Sequence, residues 1–259
     1  MEITEILSVL FRWLHIAAGI LWIGLLYFFN FVNAPFAGTM DGDTKKKVVP
    51  ELMPRALYWF RWAAAYTWVT GVLLLLLVFY HGGLMFDEGV SWGWGSFLML
   101  AVVFVVGFVL YDILAKSAPG KNLKAFAVVG FILIAVAVYC MINVGLFSYR
   151  AYVIHTGAMF GTIMAANVWM RIWPSQKKII TAVKQGAAPD QAIVALAGTR
   201  SKHNTFLSVP LVWTMIDMHT TTLAVADPLI DTLVFMAVVL LGWLTVMFVY
   251  KKAGKIKGF

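Results

Sequence analysis

Five histidines are the residues of this chain best suited to chemistry. Four of them, His15, His81, His155 and His219, lie within or at the ends of long apolar runs. An ionisable side chain there is costly and is a functional candidate by default. Facing imidazoles on adjacent helices are what a b-type haem requires, because neutral imidazole nitrogen suits iron. The expected iron ligands are therefore His15, His81, His155 and His219, serving one or two haem b groups with the pairing open. Arg12 precedes His15 by three residues, about one helical turn, and Arg150 precedes His155 by five. Two guanidiniums so placed can pair with the carboxylates of haem propionates, so Arg12 and Arg150 join the cofactor-binding set. The plainer alternatives are histidines that bond a neighbouring helix and arginines that snorkel to the interface. His203, within the helix-start sequence Ser201-Lys202-His203-Asn204, has a structural role in this reading, and no catalytic residue is singled out.

The elements that must hold these residues are membrane spans. Of the 259 residues, 62% are hydrophobic and 12% charged, against roughly 25% charged in a soluble domain. Apolar runs fall at 6–33, 56–80, 96–115, 123–143, 151–173, 204–222 and 229–250, each long enough for a hydrocarbon core of ~30 Å. They are continuous, where a closed barrel would show alternating strands of ~10 residues. The expected fold is an all-α integral membrane protein with seven transmembrane helices and a single transmembrane domain over 1–259. The first run is too long, and its charges too late, for a cleavable signal peptide.

Basic residues set the orientation. Lys45, Lys46, Lys47, Arg55 and Arg61 follow the first run; Lys116, Lys121 and Lys124 follow the third. Arg171, Lys177, Lys178, Lys184, Arg200 and Lys202 follow the fifth, and Lys251, Lys252, Lys255 and Lys257 the seventh. Only Arg12 and Arg150 remain for the other side, which holds Glu2, Glu5, Asp87, Glu88, Asp217, Asp227 and Asp231. The N-terminus is thus expected outside and the C-terminus inside. The net charge of +8 then expresses topology, and no nucleic-acid partner is implied.

Between runs five and six, Pro174-Ser175 and Pro189-Asp190 read as helix starts, and Gly186 and Gly198 as stops. Two short amphipathic helices on the inner surface are expected over 174–203. His15, Gly19 and Trp22 form one stripe offering a ligand, a gap and an aromatic wall. His155, Ala158, Met159 and Thr162 form another, with Gly157 and Gly161 beside it, although small residues also serve plain helix packing. Pro210 should kink its helix, and Asp112 should pair with Lys116. Cys140, the single cysteine, rules out a disulfide framework, a Cys-based zinc site and a C-x-x-C-H haem attachment. Phosphate loops and H-E-x-x-H are absent too.

Arg12-Trp13-Leu14-His15 through Trp22-Ile23-Gly24 resembles the first helix of the membrane-bound bacterial urate oxidase (urate hydroxylase) family. The resemblance continues at His155-Thr156-Gly157-Ala158-Met159-Phe160-Gly161 through Asn167-Val168. It extends over His203-Asn204-Thr205 through Pro210 and Met215 to His219, and at Tyr111-Asp112 with Lys116-Ser117. It implies a multi-pass protein of the bacterial cytoplasmic (inner) membrane with redox character. Members of that family join such a domain to a C-terminal cytochrome c domain and are regarded as oxidising urate, with electrons passing to cytochrome c. This sequence ends after helix 7, so it is expected to lack the further helix and the haem c domain.

The resulting expectation is a b-type haem-binding membrane redox protein passing electrons to, or within, a respiratory-type assembly. Its alternatives are a haem-free structural or transport-related membrane subunit, and a urate oxidase using an external cytochrome c. The expected partners are the lipid bilayer and a c-type cytochrome or another membrane redox subunit; a homo-oligomer is left open. Asp87, Glu88, Asp217, Asp227 and Asp231 would steer a basic cytochrome, or they simply obey charge topology.

Overall fold

Long apolar runs have no water to bond their backbone, so they close their hydrogen bonds internally as helices. The computed structural model describes residues 2–256, and among them the long apolar runs are helical and no strand occurs. Helix α1 spans Ile3–Thr39, α2 Gly42–His81, α3 Trp94–Lys116 and α4 Leu123–Asn143. Helix α5 covers Tyr149–Asn167 and continues through Val168–Ile172 into α6, Trp173–Lys184. Helix α7 spans Gln191–Asp217 and α8 Pro228–Ala253.

Local signals explain several boundaries. Asn122 caps α4, its side-chain oxygen accepting from the Lys124 and Ala125 N–H groups at 3.0 and 3.2 Å. Asp227 does the same for α8 through Leu229 and Ile230, at 3.0 and 2.9 Å, and Pro228 begins the helix where its missing N–H costs nothing. Gly186 ends α6 with φ of +74°, a conformation open to glycine without steric cost. Lys116 pairs with Asp112 at 2.6 Å near the end of α3.

Among the described residues, α1, α2, α3, α4 and α8 are long and apolar enough to cross a membrane. Their apolar side chains stand at the surface: Ile16 is 60% and Ile20 71% exposed. Contiguous apolar surface on this scale is foreign to soluble monomers, and the chain is a multi-pass membrane protein. Seven spans were expected. Helices α5 and α7 have the length but carry polar side chains at many positions, and most of those, His155, Thr156, Asn167, Asn204 and Ser208 among them, are buried in protein. From Ala151 to Ile154 and again at His155, Thr156, Met159 and Phe160, α5 hides residues on every face. A helix sheltered by other helices can be polar, so its sequence falls below the hydropathy of a lipid-facing one.

The second amphipathic helix expected over 174–203 is absent as a separate element. Gly198 sits inside α7, and Ser201-Lys202-His203-Asn204 is helix interior. An interior glycine costs only ~1 kcal/mol, and the flanking polar residues are held: Thr205 Oγ1 donates to the Ser201 carbonyl at 3.1 Å. Likewise α2 starts well before residue 56 and contains Pro50 and Pro54. Lys257, counted with the inner-side charges, lies outside the described residues.

Among the described residues four segments are π-helical: Phe28–Asn33, Leu75–His81, Val102–Val106 and Val168–Ile172. Such wide turns occur mostly as single-turn bulges inside α-helices, frequently at functional sites. The chain divides into two compact units. The first comprises Met1–Gly71, Met164–Ser208 and Leu244–Phe259; the second comprises Val72–Ile163 and Val209–Trp243.

Candidate functional site

In the first unit, His15 of α1 rests on α2. Its Nδ1 lies 3.2 Å from Thr70 Oγ1. The Thr70 hydroxyl proton is committed to the Tyr66 carbonyl at 2.6 Å, so the threonine oxygen accepts and His15 Nδ1–H donates. In the neutral ring, Nε2 then carries a lone pair. Gly71 makes the approach feasible, because a Cβ there would stand 2.9 Å from His15 Cε1. Gly19, read above as a gap, has only an ordinary contact waiting, with Thr67 Cγ2 at 3.8 Å. Trp22 is 1% exposed, and its indole N–H is buried without an acceptor.

In the second unit, His155 is fully buried. Its Nδ1 is 2.7 Å from the Ala151 carbonyl, which can only accept, so Nδ1 holds the proton and Nε2 the lone pair. Tyr80 Oη donates to that lone pair at 3.0 Å and stacks its ring on the imidazole, with centroids 5.7 Å apart. Phe79 and Phe147 close the ring from two further directions. His81 is exposed at the end of a π turn, and His219 is exposed just past α7.

The two arginines differ as well. Arg12 is exposed. Arg150 sends Nε to the Met218 carbonyl at 2.7 Å, which satisfies one of the orphan acceptors at the end of α7. Three of the five acids expected to steer a cytochrome have local duties. Asp217 accepts from Tyr149 Oη at 2.7 Å, Asp231 accepts from the Val225 N–H at 2.8 Å, and Asp227 caps α8. Only Asp87 and Glu88 remain exposed without such a role, which weakens the case for an acidic steering face.

A polar strip in the first unit escaped the sequence reading. On α7, Arg200, Asn204 and Ser208 recur every four residues and are almost fully buried, with His203 and Thr205 beside them. Asn167 Nδ2 donates to Asn204 Oδ1 at 2.9 Å, and Asn204 Nδ2 donates to the Met164 carbonyl at 3.0 Å. Asn30 Nδ2 reaches Ser201 Oγ at 2.8 Å and receives Tyr250 Oη on its own Oδ1 at 2.8 Å. Ser208 spends its proton on the Thr205 carbonyl and accepts from Tyr27 Oη at 3.0 Å. The four-residue spacing from Arg200 was visible in the sequence, but attention to histidine alone passed over it. Asn30 and Asn204, each bonded through both its oxygen and its nitrogen, rigidify the helix interface.

Among the described residues, no three or more His, Cys, Asp or Glu side chains gather as a metal site. A haem held by two imidazoles needs no such cluster. The profile of the family described as urate oxidase N-terminal matches residues 36–258. The chain belongs to the urate oxidase N-terminal family. No curated protein and no solved structure matches it. In this urate oxidase N-terminal chain the match takes in His81, His155, His203 and His219, the polar strip on α7 and Arg150. It begins after Arg12, His15 and Trp22.

Proposed function

We propose that this urate oxidase-related membrane protein is a b-type haem-binding redox protein of the bacterial cytoplasmic membrane, with seven spans. The observation that carries the reading is the shared state of His15 and His155. Each commits its Nδ1 proton to a protein oxygen and leaves Nε2 with a lone pair. That is the arrangement in which a second hydrogen bond fixes the tautomer of a metal-binding histidine. The donor set fits iron at His15 directly, and at His155 where the metal takes the lone pair now offered to Tyr80. His81, His219, Arg12 and the terminal nitrogens of Arg150 complete the proposed cofactor set. A bound haem b supplies a one-electron carrier. The chain's own part is to orient the imidazoles through Thr70 and Ala151 and to exclude water through Phe79, Phe147 and Tyr80. Electrons leave to an acceptor outside these residues, for which a c-type cytochrome is proposed.

Purified protein should show a Soret band and a sharp reduced α-band. A colourless, folded protein would leave the alternative of a haem-free structural or transport-related subunit. For the seven spans, single cysteines placed at Gln185 and Gly89 in a Cys140→Ser background should react with an impermeant reagent from opposite faces. Labelling from one face would overturn the topology.

A second reading, urate oxidation within this chain, is favoured by the polar strip. On binding, Asn30, Asn167 and Asn204 would exchange their present bonds for donors and acceptors of the substrate, and Trp22 adds a buried N–H lacking an acceptor. These groups are complementary to the alternating N–H and C=O edges of a planar urate anion. On this reading, purified protein given an artificial electron acceptor consumes urate, and Asn204→Leu lowers the rate 100-fold or more, on the order of a lost pair of buried hydrogen bonds. Equal rates in both proteins would remove the strip from the reaction.

A further inference from the structure

The first unit carries a groove of about 260 Å³ lined by Ala18 and Leu21 of α1 and by Tyr58, Trp59, Trp62, Ala63 and Tyr66 of α2. We propose that this groove binds the head ring of an isoprenoid quinone entering sideways from the bilayer. The proposal rests on the electron-transfer reading for its purpose, but not for its existence.

Size restricts the occupant first. Pockets for drug-sized ligands begin at roughly 300 Å³, so one ring fits and a tail must lie outside. The opening suits that division, since Tyr58, Trp59, Trp62 and Tyr66 are 48%, 58%, 37% and 60% exposed while Ala63 is 3% exposed at the floor. Tyr58, Trp62 and Tyr66 recur every four residues along one face of α2, and Trp59 flanks them. The walls are thus flat π surfaces, which favour a planar ring.

Hydrogen-bonding capacity restricts it next. Two phenols and two indoles can all donate, and none of the four has a hydrogen-bond acceptor among the described residues. Four donors along the walls of one groove are matched by a ligand that accepts. An acyl chain or a hydrocarbon ring offers no acceptor. A quinone offers two carbonyl oxygens on opposite edges of one ring.

An aromatic belt at the head-group level is the competing explanation for exposed Tyr and Trp. The row runs eight residues, roughly 12 Å along the helix, and reaches Tyr66, whose carbonyl accepts from Thr70 beside His15. Ala18 lies one turn from His15, about 4.5 Å along α1. A belt has no reason to extend to the proposed redox centre; a quinone site does.

The test uses the full chain in phosphatidylcholine nanodiscs, titrated with decylubiquinone while tryptophan fluorescence is followed. Saturable quenching is expected, with affinity at least fivefold weaker in Tyr58→Phe/Tyr66→Phe, which removes two hydroxyls and keeps the rings. Decylbenzene, which has the tail and ring but no carbonyls, should not compete. Quenching that rises linearly with quinone, quenching unchanged in the double variant, or equal competition by decylbenzene would overturn the proposal. The haem spectrum of the same sample is recorded independently. A colourless protein that binds quinone saturably sinks only the haem reading, and a haem-bearing protein without saturable quenching sinks only this one.

Discussion

Replacing His155 with alanine is expected to abolish the reduced haem α-band, and His15→Ala to abolish or shift it, whereas His203→Ala leaves the spectrum intact. His155 is buried with its tautomer set by Ala151, so its loss removes an oriented lone pair. Tyr80→Phe separates a ligand from a packing histidine. If His155 binds iron, removing the competing hydroxyl keeps or strengthens haem binding. If His155 only packs, the same change leaves a buried acceptor unsatisfied and destabilises the fold by about 1–3 kcal/mol. Spectra unchanged in His15→Ala, His81→Ala, His155→Ala and His219→Ala alike would end the haem assignment. Size-exclusion profiles in the same detergent guard against misfolded variants.

The second large effect falls on Gly157. A Cβ there would collide with Thr214 Oγ1 and come within 3.0 Å of Thr214 Cβ. Thr214 is fully buried and its hydroxyl is tied to the Leu211 carbonyl at 2.7 Å, so it has little freedom to yield. Overpacking of this kind costs about 1–3 kcal/mol and occasionally more, which exceeds the ~1 kcal/mol that alanine gains over glycine in a helix. Gly157→Ala should therefore lower the thermal unfolding midpoint in detergent, and Gly157→Val should prevent recovery of monodisperse protein. Gly161, one turn on, is the control: its nearest neighbour, Leu211 Cδ1, would be 4.0 Å from a new Cβ. Gly161→Ala should be neutral or stabilising. Similar behaviour at both positions would refute the close α5–α7 contact.

The lipid-facing helices were legible because the bilayer imposes one demand, a long apolar run, and α4 begins and ends where the run at 123–143 does. Helices α5 and α7 were legible as helices but not as buried ones, since their polar residues answer to neighbours that a linear reading does not see. The join of 191–203 to α7 was missed because Gly198 and Ser201 resemble punctuation, and only tertiary cover holds such residues in helix. For the site, the residue type of His15 and His155 was readable; their tautomers were not, because these depend on Tyr66, Thr70 and Ala151. Tyr80 was overlooked beside His81, although it is the tyrosine that reaches the buried imidazole. Asn30 and Tyr250 meet across 220 positions of chain, a pairing with no local signature.

The π turn Leu75–His81 gives α2 the character of a helix that has been lengthened by insertion rather than merely extended. One residue in an α-helix corresponds to about 100° of rotation, so a π turn resets the angular phase of everything that follows it. Thr70 and Gly71, which hold His15, precede the reset, while Tyr80, which meets His155, and His81 come at its end. A single deletion between Leu75 and Phe79 would be taken up by tightening the π turn to α, whereas one in the α-helical stretch before it would swing Tyr80 roughly a quarter-turn away from its imidazole.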